Sequence, residues 1–363
     1  MDTLHIFNPE HDIALAFNLP NFTAPHAARM LRTDLGYLPA LWAGEGDCVV
    51  VDNVEWAEYA WKRLRQRLAM LGAGGDLTAK NVRFRAWEHG SAAGCREIEP
   101  WGWNRALVAQ LRRKGSDDSL LPADHRLETI RNLSHRRTAA ALLPELRMDG
   151  TVGEAFECRT ADEVEALLQR YGQVVMKAPW SSSGRGLRFL DLERTPFSMQ
   201  EGWFRNLTER QGSVMVEPYY NKVKDFGMEF SADATGAIRY EGLSLFHTVN
   251  GAYTGNVIAT EKAKQEMMER YIPSSLMQAV RARIASVLSG VLGGRYTGPF
   301  GVDMMVVAAQ DAQGFLLHPC VEINLRRTMG HVALSLSPDD DDVVKVMRIA
   351  LTDHYKLKIN KLQ

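Results

Sequence analysis

The chain has 363 residues, too many for one ordinary hydrophobic core and enough for two or three lobes. Its 43 lysines and arginines against 44 aspartates and glutamates leave a net charge of −1, which gives no pull towards nucleic acid or an anionic membrane. The four cysteines form no CxxC pair, the N-terminus carries no secretory pattern, and no stretch approaches the roughly 18 apolar residues of a membrane span, so a soluble cytoplasmic protein without zinc or disulfides is expected.

In chain order, residues 4–7 read as a strand and 48–51 as another, buried on both faces. Residues 55–71 carry Trp56, Tyr59, Leu64, Leu68 and Leu71 near helical spacing. A weaker strand follows at 82–84, then a helix over 103–113 with a C-cap at Lys114-Gly115. This alternation predicts a parallel α/β lobe. Gly72-Ala73-Gly74-Gly75 follows a helix and reads as its terminating loop, so a dinucleotide fingerprint is absent.

Helices are predicted at 134–147 and 160–171, the second opened by a capping box in Thr160-Ala161-Asp162-Glu163. A strand at 174–177 runs into the loop Ser181-Ser182-Ser183-Gly184-Arg185-Gly186, and 187–190 returns as its hairpin partner. Further strands are predicted at 213–217, 226–233, 238–246, 300–307 and 315–323, with a helix at 274–292. A last helix is expected to open at Pro338, where the acidic run 339–342 would complement its dipole.

Three features carry chemistry. Lys177 ends an apolar strand and sets a point charge beside a loop whose N–H groups can wrap phosphate oxygens. The spacing is not that of a P-loop. In Val214-Met215-Val216-Glu217-Pro218 a strand ends in a carboxylate, which suits an adenine ring that needs an apolar slot and a polar edge. Alone, each fits an ordinary hairpin or turn equally well. The third is more specific: Asp303 is followed nineteen residues on by Glu322, then Asn324 and Arg326. In an antiparallel pair these three oxygen-bearing side chains share one face. Burying them uncompensated is costly. Mg²⁺, which takes one or two carboxylates plus phosphate oxygens, would offset that cost. A salt bridge to Arg326 or Arg327 is the alternative.

Taken in order, Lys177 with its Ser/Gly loop, Val216-Glu217, Asp303 and Glu322-Ile323-Asn324 resemble the ATP-grasp superfamily over about residues 130–335. The resemblance implies an α/β and α+β protein: an N-terminal pre-ATP-grasp-like lobe (1–130), then two subdomains (131–217 and 218–363) with ATP between them. It implies Lys177 on the α/β-phosphates, with Ser182, Ser183, Gly184 and Gly186 closing over them. Val216 and Glu217 would hold adenine, and Glu229 the ribose, with Asp225 as its rival. Asp303, Glu322 and Asn324 would hold one or two Mg²⁺, or Mn²⁺ in their place. Arg136, or Arg137, stands where the family places a lysine and keeps its charge but not its geometry. The loop is richer in serine than the family's, and Gly301 stands where some ligases carry an arginine, whose charge Arg326 would replace.

The implied activity is a carboxylate–amine ligase that forms an acyl phosphate, with Arg326 and Lys177 as catalytic residues, small-molecule carboxylate and amine substrates, and a homodimer as a common assembly. A small-molecule kinase and a non-enzymatic nucleotide-binding protein are the alternatives. For the substrate, Asn8-Pro9-Glu10-His11-Asp12 follows the first strand at the end where α/β sheets bind ligands, with His26 beside it. Tyr253-Thr254-Gly255-Asn256 is the second candidate. An ordinary polar turn is the alternative for both. His331 reads equally as a surface residue at a helix start, and Trp101 and Trp103 as packing residues.

Overall fold

The computed structural model describes residues 2–70, 80–181, 186–249, 252–309 and 314–361, so the expected loop at 72–75 and Ser182, Ser183 and Gly184 lie outside the described residues. The first lobe runs β1 (Asp2–Ile6), α1 (His11–Phe17), α2 (His26–Leu35), β2 (Cys48–Val51), α3 (Val54–Met70), β3 (Arg83–Ala86), β4 (Cys95–Pro100) and α4 (Arg105–Arg113). Its sheet has the order β3-β2-β1-β4 and is parallel throughout. Helices must cover both faces of such a sheet, which is why β2 is an unbroken, fully buried apolar run. The order reverses at β1, whose neighbours β2 and β4 are reached in opposite directions.

α5 (Asp124–Leu133) and α6 (Arg137–Leu146) lead into the second sheet. It comprises β5 (Phe156–Cys158), α7 (Ala161–Tyr171), β6 (Gln173–Lys177), β7 (Leu187–Asp191), α8 (Glu201–Gln211) and β8 (Val214–Pro218). The strand order is β5-β8-β6-β7, antiparallel. The expected capping box forms at α7, where Thr160 Oγ1 accepts from Glu163 N and the Glu163 carboxylate accepts from Thr160 N. Val164, Leu168, Met176, Val214 and Val216 make the core of this unit.

The third part holds β9 (Lys222–Ala232), β10 (Ile238–Ser244), β11 (Phe246–Val249), β12 (Ala252–Ile258), α9 (Glu261–Glu269), α10 (Ser274–Leu292), β13 (Gly298–Ala308), β14 (Phe315–Asn324), α11 (Met329–Leu334), β15 (Lys345–Leu351) and β16 (Tyr355–Lys361). Its main sheet is β10-β9-β13-β14, antiparallel. Alternation sends Phe226, Met228, Phe230, Phe300 and Val302 into a core with Leu142 of α6 and Ile284 and Leu288 of α10. The opposite face carries Asp225, Glu229 and Asp303. None of the helices among the described residues is long and apolar enough to cross a membrane.

The helix expected at Pro338 does not form. β15 and β16 follow instead as an antiparallel hairpin that completes the sheet β11-β12-β15-β16. Val346, Met347, Ile349, Leu357 and Ile359 include the period-two alternation of strands, and the acidic run meets a different partner. Asp341 accepts from Thr260 Oγ1 (2.5 Å), the N-cap of α9, and from Lys262 Nζ (2.9 Å). Met347 and Ile359 enter the first lobe's core beside Leu35, Val51, Leu64 and Leu68. Asp34 of α2 anchors the hairpin turn by accepting from Tyr355 N (2.8 Å) and lying 2.9 Å from His354 Nδ1. Met347 is completely buried. We expect Met347→Ala to cost about 2–5 kcal/mol, read as a lowered urea midpoint.

Candidate functional site

The third feature of the sequence is built as its alternation demands. In the β13–β14 register Asp303 lies opposite Glu322 and Gly301 opposite Asn324. Asn324 Nδ2 donates to Asp303 Oδ2 (3.1 Å), and Arg326 Nη2 donates to Asn324 Oδ1 (2.9 Å). Burial, reinforced by the neighbouring Glu322 charge, pushes the Asp303 carboxyl up to about 7, against the opposing pull of Arg326 and Asn324. This is a cluster of two carboxylates and an amide. Its oxygen donors suit a hard divalent cation. Among the described residues no group of three His, Cys, Asp or Glu could hold a metal ion.

Two arginines flank the cluster. Arg136, the N-cap residue of α6, donates from Nη2 to Glu322 Oε2 (2.7 Å) and from Nη1 to Ser181 Oγ (2.8 Å) and the Ala178 carbonyl. One guanidinium thus spans the segment after Lys177 and the strand bearing Glu322. Arg326 makes a fork with Asp12, Nε to Oδ1 at 2.8 Å and Nη2 to Oδ2 at 2.7 Å. Burial alone would push Asp12 up, but Arg326 outweighs it and holds the carboxyl below its usual range. The same attraction raises Arg326 above the usual arginine range despite its burial.

Lys177, at the end of β6, points along the sheet to β8, where its Nζ lies 2.5 Å from Glu217 Oε2. Both side chains are buried. Val216, with alternate orientation, packs into the core of the small sheet. Gly186 closes the loop after Lys177: its carbonyl accepts from Ala178 N (2.8 Å), and a Cβ there would come within 2.6 Å of Ser181 Oγ.

No protein-family model matches the sequence, and no curated protein matches it. Solved structures do. The N5-carboxyaminoimidazole synthetase of Staphylococcus aureus complexed with ADP is similar over 96% of this chain and 82% of its own, at 12% identity and TM-score 0.51. The biotin carboxylase domain dimer of the Hydrogenobacter thermophilus 2-oxoglutarate carboxylase, with MgADP, ADP and bicarbonate, matches over 96% and 74% at 12% identity and TM-score 0.53. The Campylobacter jejuni biotin carboxylase, in an ATP complex, matches over 96% and 75% at 14% identity and TM-score 0.52. These neighbours are ATP-grasp proteins. The chain has the ATP-grasp fold.

Within that fold the remaining sequence candidates divide. Glu229 is walled in. His331 Nδ1 lies 3.0 Å from its Oε2, and a Cβ on Gly330 or Gly301 would come within 1.8 Å or 2.6 Å of its oxygens. Burial pushes its carboxyl up to about 8. His331 is buried in the first turn of α11, where Thr328 caps the helix, and is not a surface residue. Asp225 is less buried and accepts from Lys222 Nζ (2.6 Å) and Thr248 Oγ1 (2.5 Å). Asn256 donates to Ser244 Oγ (2.8 Å) and accepts from Tyr253 OH (2.5 Å), an internal network on β12. His26 is exposed, while Trp101 packs on Phe7 as expected. The Asp12–Arg326 fork joins the 8–12 turn to the acidic strand, which the sequence left open. Only the charge of both residues hinted at it.

Two outcomes follow. Asp12→Asn leaves a buried guanidinium without its counter-ion, and we expect a loss of about 3–5 kcal/mol in urea unfolding, more than Asp225→Asn costs. His318 is fully buried with no hydrogen-bond partner for either ring nitrogen among the described residues. Burial lowers it to about 4 from an ordinary 6.5. The unfolded chain therefore binds the extra proton first, so this stability is complete above pH 6.5 and drains as pH falls towards 4. His318→Gln should flatten the pH dependence of the urea midpoint in that window, by up to about 1.4 kcal/mol per pH unit.

Proposed function

We propose that the chain is an ATP- and Mg²⁺-dependent ligase that activates a small-molecule carboxylate as an acyl phosphate for an amine. Residues 1–130 form its pre-ATP-grasp-like lobe, and 131–217 and 218–363 its two nucleotide-clamping subdomains. The observation that carries this reading is the Arg136 guanidinium, which bonds at once to Ser181 after Lys177 and to Glu322 beside Asp303. A phosphate-binding loop and a hard-cation site within one side chain's span suit a triphosphate and little else.

In this reading a substrate carboxylate oxygen attacks the γ-phosphorus, the bond to ADP breaks, and an acyl phosphate forms. The amine nitrogen then attacks the acyl carbon, loses a proton, and expels inorganic phosphate. No side chain becomes covalently bonded, so the protein works by positioning and charge neutralisation. Lys177 would exchange Glu217 for α/β-phosphate oxygens, with Ser182, Ser183, Gly184 and Gly186 as the further phosphate contacts of this reading, and Glu217 would be free to accept from the adenine amino group. Val216 contributes backbone only, because its side chain is in the core. Arg326, held in one orientation by Asp12 and Asn324, faces the acyl phosphate. Asp303, Glu322 and Asn324 would hold one or two Mg²⁺, which when bound neutralise phosphate charge. Glu229 is the more secluded of the two ribose candidates, so Asp225, on the same sheet face and less buried, takes the ribose in this reading, with Glu229 as the alternative.

The test is ADP release with a panel of carboxylic acids, with and without amines. Asp303→Asn and Glu322→Gln should each lower turnover by about 10²-fold or more while keeping the circular dichroism of the parent. Lys177→Ala should abolish the thermal shift produced by Mg-ATP. Full turnover in either carboxylate variant would overturn the metal assignment. ADP release that needs a hydroxyl compound and no amine would make the chain a kinase.

A further inference from the structure

A cavity of about 170 Å³ opens at the carboxyl ends of β1 and β4. It sits where the strand order of the parallel sheet reverses, the position at which open α/β sheets leave a crevice for a ligand. Its floor is already satisfied. Asn8 Nδ2 donates to the Gly102 carbonyl (2.8 Å) and Asn8 Oδ1 accepts from Gly102 N (3.3 Å). Asn104 Oδ1 caps α4 by accepting from Leu107 N (3.0 Å), and its Nδ2 lies 3.3 Å from His11 Nδ1.

The walls are different. α2 presents Arg29 and Arg32, and α4 presents Gln110 and Arg113, each pair three residues apart and so on one helical face. Arg32 is committed to Glu10 Oε1 (3.3 Å) and Asp52 Oδ2 (3.4 Å). Arg29 and Arg113 have no ion pair among the described residues, so two guanidinium groups border a cavity in which Glu10 is the one carboxylate. A cavity of about 150 Å³ accepts a molecule the size of benzene, so this one has room for an oxyanion and a few further atoms.

We propose that the cavity binds an oxyanion, carboxylate or phosphate, carried by a substrate away from its reacting group. Arg29 and Arg113 neutralise it, and Gln110 and Thr23 offer further polar contacts. Glu10 lines the cavity and Asp12, two residues on, forks Arg326, so one turn of chain serves both the cavity and the acyl-phosphate arginine. The substrate role of the occupant rests on the ligase reading. Its charge rests on the cavity alone.

The experiment is calorimetric titration of the full chain with inorganic phosphate, with succinate, and with neutral succinamide as control. Arg29→Gln/Arg113→Gln is titrated beside the wild type, and both are assayed for the Mg-ATP thermal shift. We expect one of the two anions to bind at millimolar or lower concentration, succinamide not to bind, and the double variant to lose at least 10-fold in affinity with its Mg-ATP shift intact. Preference for phosphate or for succinate tells which oxyanion the substrate carries. Absence of binding by both anions, or equal binding by the double variant, overturns the proposal. A missing Mg-ATP shift beside intact anion binding would instead remove the ligase reading and leave the cavity standing.

Discussion

The centre of this molecule is organised around two carboxylates that face each other across a strand pair, Asp303 and Glu322. A carboxylate inside a sheet face, with a second one opposite it, is unstable unless positive charge comes close. The chain brings that charge from two places and steadies one of them from a third. Arg326 arrives two residues after Asn324, Arg136 arrives from the N-cap of α6, and Asp12 returns from the first lobe to hold Arg326 in line. The three parts of the chain therefore meet at one electrostatic problem, and their relative placement is part of its solution.

That solution leaves two points under electrostatic tension. Asp303 still stands well above an ordinary carboxyl, and among the described residues Lys177 and Glu217 have only each other as ion-pair partners. A ligand that brings its own negative charge must compete with Glu217 for Lys177, while a cation must compete with Arg136 for Glu322. In the proposed reading each exchange costs one existing ion pair.

Much of this was legible because it obeys local periodicity. Strand alternation places Asp303, Glu322 and Asn324 on one face whatever surrounds them. The Thr160–Glu163 capping box is written in four consecutive residues, and α10 runs over 274–292 as its apolar spacing predicts. What escaped depends on distance or on competing signals. Asp12 and Arg326 are 314 positions apart, beyond any local pattern. Glu229 sits in a strand with a ligand-like spacing, yet its seclusion comes from two glycines on other elements, Gly301 and Gly330. At Pro338 a proline followed by acids imitates a helix start. The alternating pairs Met347/Ile349 and Leu357/Ile359 fit a hairpin instead, and the sheet edge of β12 gave it a partner.

The closing hairpin has a further bearing on how the molecule is made. Leu35, Val51, Leu64 and Leu68 belong to the first lobe, but Met347 and Ile359 help to cover them, and these leave the ribosome after every other described element. A nascent first lobe therefore waits with part of its apolar surface uncovered until that hairpin emerges. Such a lobe cannot finish as an independent unit, and its assembly is cooperative with the rest of the chain.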